Sequence, residues 1–167
     1  GEATLLPVDR VGNMTPEQVT DLFHKARAPE YQLAMKGCRE ILVQLDRYRA
    51  SHRGSVAHLR SKLDSVKREL DRIQSIDYLE TPIGRRTRDL WETAAKRLRA
   101  ESERACDDLV LSCGAKASDY AEHLLRMVIG VRHYGAPALA MPMARRKEFE
   151  GRMVGFLHPA IRRQAPE

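Results

Sequence analysis

Cysteine, aromatic residues and long apolar runs are all scarce in this sequence. Cys38, Cys106 and Cys113 are odd in number and include no C-x-x-C pair. That argues against a zinc ribbon or a disulfide framework and fits a reducing, cytoplasmic setting. Aromatic residues make up 5% of the 167-residue chain, so any core must be aliphatic. No apolar stretch approaches the roughly 18 residues of a membrane span, and no signal-peptide pattern is present, so no membrane partner is expected. Glycine-rich phosphate loops, H-E-x-x-H and G-x-S-x-G are also missing. The six histidines (His24, His52, His58, His123, His133, His158) show no ligand spacing. The sequence therefore predicts no catalytic residues, no metal site, no cofactor and no enzyme.

What the chain does have is charge and helical periodicity. Charged residues are 31% and hydrophobic residues 43%, with a net charge of +6. This is a globular composition that permits nucleic acid or another anionic partner without requiring one. The clearest pattern runs through 56–79. Val56, Leu59, Leu63, Val66, Leu70 and Ile73 follow steps of 3, 4, 3, 4 and 3, an unbroken heptad seam between charged positions. Such a helix needs a partner to cover its seam. The preceding segment offers one, a second apolar stripe of Leu33, Cys38, Ile41, Leu42, Leu45 and Tyr48. The short polar link between them, with Ser55 placed as an N-cap, makes the two helices antiparallel neighbours. The expected fold class is all-α, an antiparallel helical bundle built on this long hairpin.

The flanks extend the bundle. GEATLLPV at 1–8 reads as a short strand whose sheet partners are missing, so 1–14 is expected to be the strand and linker remnant of an upstream domain. Thr15-Pro16-Glu17-Gln18 is a helix start with a capping box. Val19, Leu22, Phe23 and Ala26 follow on one face, and Pro29 predicts a kink or break. Glu80-Thr81-Pro82-Ile83-Gly84 reads as a turn. A third long helix is expected from about Arg85 to Ser112, with Trp91, Ala94, Leu98, Ala105 and Leu109 as its apolar face and Gly114 ending it. The helical bundle is thus placed at 15–114. Residues 115–167 form a C-terminal helical appendage, with one helix ending near Tyr134 and a short one around 145–157.

Two places carry candidate chemistry. Arg85, Arg86 and Arg88 sit together at a helix start, where the dipole and guanidinium forks could grip an oxyanion. Positive charge at a helix N-terminus is locally unfavourable, however, and an ordinary charged surface is the better account of the cluster. Asp77 interrupts the apolar pattern between Ile76 and Tyr78 at the end of the seam helix, where the dipole disfavours a carboxylate. A residue set against its local preference implies a tertiary partner, expected to be one of these arginines or a backbone donor of the turn. Cys38 reads as a buried structural thiol, whereas Cys106 and Cys113 are more exposed candidates for redox response.

The order of the pieces resembles the ChrB family of chromate-resistance regulators over roughly residues 1–100. The matching residues are Gly1, Glu2, Ala3, Leu22, Phe23, Ala26, Arg27, Glu30, Tyr31, Cys38, Leu70, Ile73, Asp77, Tyr78 and Pro82. The resemblance implies a helical piece of a bacterial transcriptional regulator acting in oxyanion resistance, with Asp77, Glu30 and Tyr31 in structural roles. Its own task would be homodimerisation, or relay between a DNA-binding module lying upstream and a sensor of the oxyanion. The sequence departs from the family at Pro29, lacks the upstream winged-helix-like segment, and shows no family motif in 105–167. The alternatives are an unrelated helical interaction domain with no ligand, and a small anion-binding or redox-responsive domain.

Overall fold

The computed structural model describes residues 12–51 and 54–134, and all of their regular structure is α-helical. Helix α1 spans Pro16–Ser51, α2 spans Val56–Gln74, α3 spans Pro82–Ser112 and α4 spans Ala117–Tyr134. The chain divides into two compact units, Gly1–Leu98 and Arg99–Glu167, with α3 running across the boundary. The strand expected at 1–8 and the final helix expected at 145–157 lie outside the described residues.

In the first unit, three helices pack around the seam of α2. Ser55 caps α2 as its spacing requires, its hydroxyl accepting from the His58 N–H at 3.2 Å. Leu59 and Leu63 are buried against Ile41 and Leu45 of α1 and against Ala94 and Leu98 of α3. A second cluster joins Leu70 and Ile73 to Tyr31 and Ala34. Late α1 therefore meets early α2, so the hairpin is antiparallel. Tyr31 lies by Gly84, and Asp46 pairs with Arg97, so α3 runs parallel to α1 and antiparallel to α2. Val66 is half-buried because Gly37 brings α1 so close that a Cβ there would stand 2.9 Å from the Val66 Cγ2. Trp91 locks α3 onto α2. Its indole N–H donates to the Leu63 carbonyl at 3.2 Å, and the Lys67 ammonium lies 5.5 Å from the ring centroid.

Several expectations need correction. No break occurs at Pro29: α1 is one helix of 36 residues. Proline removes a single donor, the one that would have bonded the Lys25 carbonyl. Both residues are exposed, so water can take that place, and packing on either side holds the helix. The third helix begins at Pro82, not Arg85: Thr81 is its N-cap and Pro82 fills the first helical position, which needs no N–H. Leu33 is 68% exposed, because the buried stripe of α1 is Tyr31, Ala34, Cys38, Ile41 and Leu45, one position out of phase with it. Leu22, Phe23 and Leu109 are also exposed rather than core.

The second unit pairs the end of α3 with α4. Gly114, at φ +94°, reverses the chain in the left-handed region, and its N–H bonds the Leu111 carbonyl. The Tyr120 hydroxyl donates to buried Asp107 at 3.0 Å, and Ala121 and Leu124 are buried beside it. Nearby, Arg104 donates to the largely buried Glu101 at 2.8 Å.

Candidate functional site

The polar centre of the first unit is Asp77, three residues beyond the end of α2. Its Oδ2 accepts three hydrogen bonds: from the Tyr31 hydroxyl at 2.8 Å, the Thr81 hydroxyl at 2.8 Å and the Thr81 N–H at 3.0 Å. The expected partner was a turn donor or an arginine, and the turn donor is the one found. Among the described residues no arginine bonds Asp77. The rest of the binding comes from Tyr31, 46 residues away on α1. The dipole that disfavours a carboxylate at the end of α2 is offset by the N-terminus of α3, where the same carboxylate is welcome. Burial pushes the Asp77 carboxyl up, but bonds from the Thr81 hydroxyl, the Tyr31 hydroxyl and the Thr81 N–H outweigh it and hold the group below the ordinary carboxylate range. Burial first, and then the bond to Asp77, push the Tyr31 phenol up to about 12.

The local backbone is shaped to allow this. Thr81 is both donor and cap: its hydroxyl also accepts from the Gly84 N–H at 3.2 Å. Gly84 is buried against the phenol, and a Cβ there would stand 2.8 Å from the Tyr31 Cζ and 2.9 Å from the Thr81 Oγ1. Glu80 takes φ +46°, the left-handed region, to turn the chain into the cap. Glu30 is tied separately. It accepts from Arg27 at 3.2 Å and from Arg72 at 2.8 Å, and Arg72 also binds Glu69, which cross-links α1 to α2.

A cavity of about 90 Å³ opens beside this knot, lined by Tyr31, Gln74, Asp77, Glu80, Thr81, Gly84, Arg85 and Arg88. Arg85 and Arg88 thus come together, while exposed Arg86 does not join them. Arg88 is engaged with Gln74. With the carboxamide oxygen facing it, the guanidinium donates through Nε at 3.0 Å and Nη2 at 3.2 Å. Gln74, Thr81 and Gly84 were not singled out by sequence reasoning; the Thr81-Pro82 pair, a cap followed by proline, was the signal that could have found the first of α3's anchors. His24 is one of the six histidines that show no ligand spacing in the sequence. Its Nε2 is buried without a hydrogen-bond partner among the described residues, and the ring lies within electrostatic reach of Asp77.

The remaining candidates are structural or solvent-facing. Cys38 is buried, and burial pushes its thiol up to about 11; Cys106 and Cys113 are exposed. Among the described residues no group of three or more His, Cys, Asp or Glu side chains could hold a metal, and no helix is long and apolar enough to cross a membrane. No family model, curated protein or solved structure matches the chain.

Proposed function

We propose that the first unit is a non-enzymatic helical module, similar to that of ChrB-type regulators of chromate resistance, that dimerises or relays between a DNA-reading segment and an oxyanion sensor in the cytoplasm. The observation that carries this reading is the Asp77 knot. Tyr31 and Asp77, two of the residues on which the resemblance rests, bond each other across 46 residues. Leu70 and Ile73, two more, pack on Tyr31. These residues are spent on fixing how α1, α2 and α3 meet, which suits a part that transmits position rather than one that does chemistry. The +6 charge supports weak attraction to DNA through counterion release. In a gel shift the chain alone should bind DNA without sequence preference, and binding should collapse as salt rises. Deleting its gene should abolish the chromate response of a chromate-inducible reporter. An unchanged response removes the reading, and sequence preference at physiological salt would make this chain a DNA reader in its own right.

A second reading, a small anion-binding domain, is favoured by the meeting of Arg85 and Arg88 at the cavity. The carboxylates of Asp77 and Glu80 line the same space and oppose it. Calorimetric titration with chromate, sulfate and phosphate separates the two readings: heat that disappears in Arg88→Ala supports anion binding, and no heat supports the structural module.

A further inference from the structure

Helix α1 carries two heptad seams. The inner one, Tyr31, Ala34, Cys38, Ile41 and Leu45, is buried. The outer one runs through positions 26, 29, 33, 36, 40, 43, 47 and 50 in alternating steps of 3 and 4, and every residue on it is exposed. Leu33 at 68% and Val43 at 49% exposure are apolar side chains that the first unit does not cover. Between them stand Lys36 and Glu40, so whatever covers this face must meet a cation and an anion one turn apart.

We propose that the occupant is a second copy of the chain, its α1 packed antiparallel on this one about an axis near position 38. In an antiparallel coiled coil, a positions of one helix share a layer with d positions of the other. About that axis Lys36 meets the partner's Glu40 and Glu40 meets the partner's Lys36. Leu33 meets the partner's Val43, and the reverse pair forms below. Ala26 meets the partner's Ala50, a small pair that lets the helices approach. A parallel copy would instead set Lys36 on the partner's Lys36 and Glu40 on the partner's Glu40, two like-charge layers in the middle of the seam. The charge pattern therefore selects both the partner and its direction. Glu40 also pairs with Lys62 at 3.6 Å within the chain, an exposed contact made through Oε2. Arg39, exposed beside the seam, approaches its own copy across the axis, where salt screens the repulsion. The two-fold axis makes the interface isologous, so each contact counts twice.

This inference rests on the dimerisation role proposed above and names its surface. Sedimentation equilibrium of the full chain should show a reversible monomer–dimer equilibrium. K36E and E40K should each weaken it by about tenfold, since either one creates two like-charge contacts. The double variant K36E/E40K should return to within about threefold of the parent, because the pairs are restored with reversed polarity. L33Q, on the same exposed face, should weaken dimerisation while leaving unchanged the denaturant midpoint measured at a concentration low enough for the chain to be monomeric. A chain that stays monomeric at all concentrations, a dimer indifferent to K36E and E40K, or a double variant without recovery would overturn the proposal. A monomer with an intact chromate response would overturn this interface alone. A dimer with no chromate response would overturn the regulatory reading alone.

Discussion

The Tyr31 hydroxyl donates to the Asp77 Oδ2 at 2.8 Å, joining the middle of α1 to the turn between α2 and α3. That turn also supplies the Thr81 N–H and hydroxyl to the same oxygen. One carboxylate oxygen therefore holds three segments of the first unit in register.

The buried seam and the exposed seam should respond differently to truncation. Leu63 is 5% exposed in the main cluster, so Leu63→Ala should cost about 2–5 kcal/mol. Leu33, at 68% exposure, should change stability by less than about 0.5 kcal/mol in Leu33→Ala. Urea denaturation of the two variants at a concentration where the chain is monomeric provides the comparison, and equal losses would contradict the phase assigned to α1.

Gly84→Ala should destabilise by about 1–3 kcal/mol, since its Cβ would press on the Tyr31 ring and the Thr81 hydroxyl while the backbone of the cap holds its place. A thermal melt unchanged from the parent would show that α3 can step back from α1 at little cost.

These contacts also explain what the sequence could and could not disclose. The α2 seam was legible because a strict 3-4 step admits only one buried face. Asp77 was legible as a polar residue in the wrong place. Its tie to Tyr31 was not legible from local pattern, because a hydrogen bond across 46 residues leaves no periodic trace. Pro29 misled because its local cost is small beside the packing of a 36-residue helix. Leu33 misled because two seams share α1, and apolar residues on the outer one look like core.

Thiol chemistry should separate the cysteines. Cys106 and Cys113 are exposed and should react promptly with a thiol reagent near neutral pH. Cys38, buried and pushed up to about 11, should react only as the first unit unfolds. Mass spectrometry with and without urea checks this; rapid triple labelling in native buffer would show that the α1 core opens readily.

Stability should fall at both ends of the pH scale through this one pair. Asp77 has a folded pKa below its unfolded value, so its contribution is present above the ordinary carboxylate pKa of about 3.9 and is lost as pH falls through the lower folded value. Tyr31 has a folded pKa raised to about 12, so its contribution is complete below the ordinary tyrosine pKa of about 10 and is lost as pH rises towards the folded value. In Asp77→Asn the acid loss should shrink; in Tyr31→Phe the alkaline loss should shrink. A pH–stability curve unchanged by both substitutions would contradict the linkage.

The most direct test of the Asp77 knot is a double-mutant cycle on Tyr31→Phe and Asp77→Asn, followed by urea denaturation. Asp77→Asn should cost about 1–3 kcal/mol, because the Thr81 and Tyr31 donors lose a charged acceptor. Tyr31→Phe should cost about 1–2 kcal/mol, and the double variant clearly less than the sum, with a coupling of at least about 0.5 kcal/mol. Strictly additive losses, or an Asp77→Asn midpoint equal to that of the parent, would show that this carboxylate does not hold the three helices together.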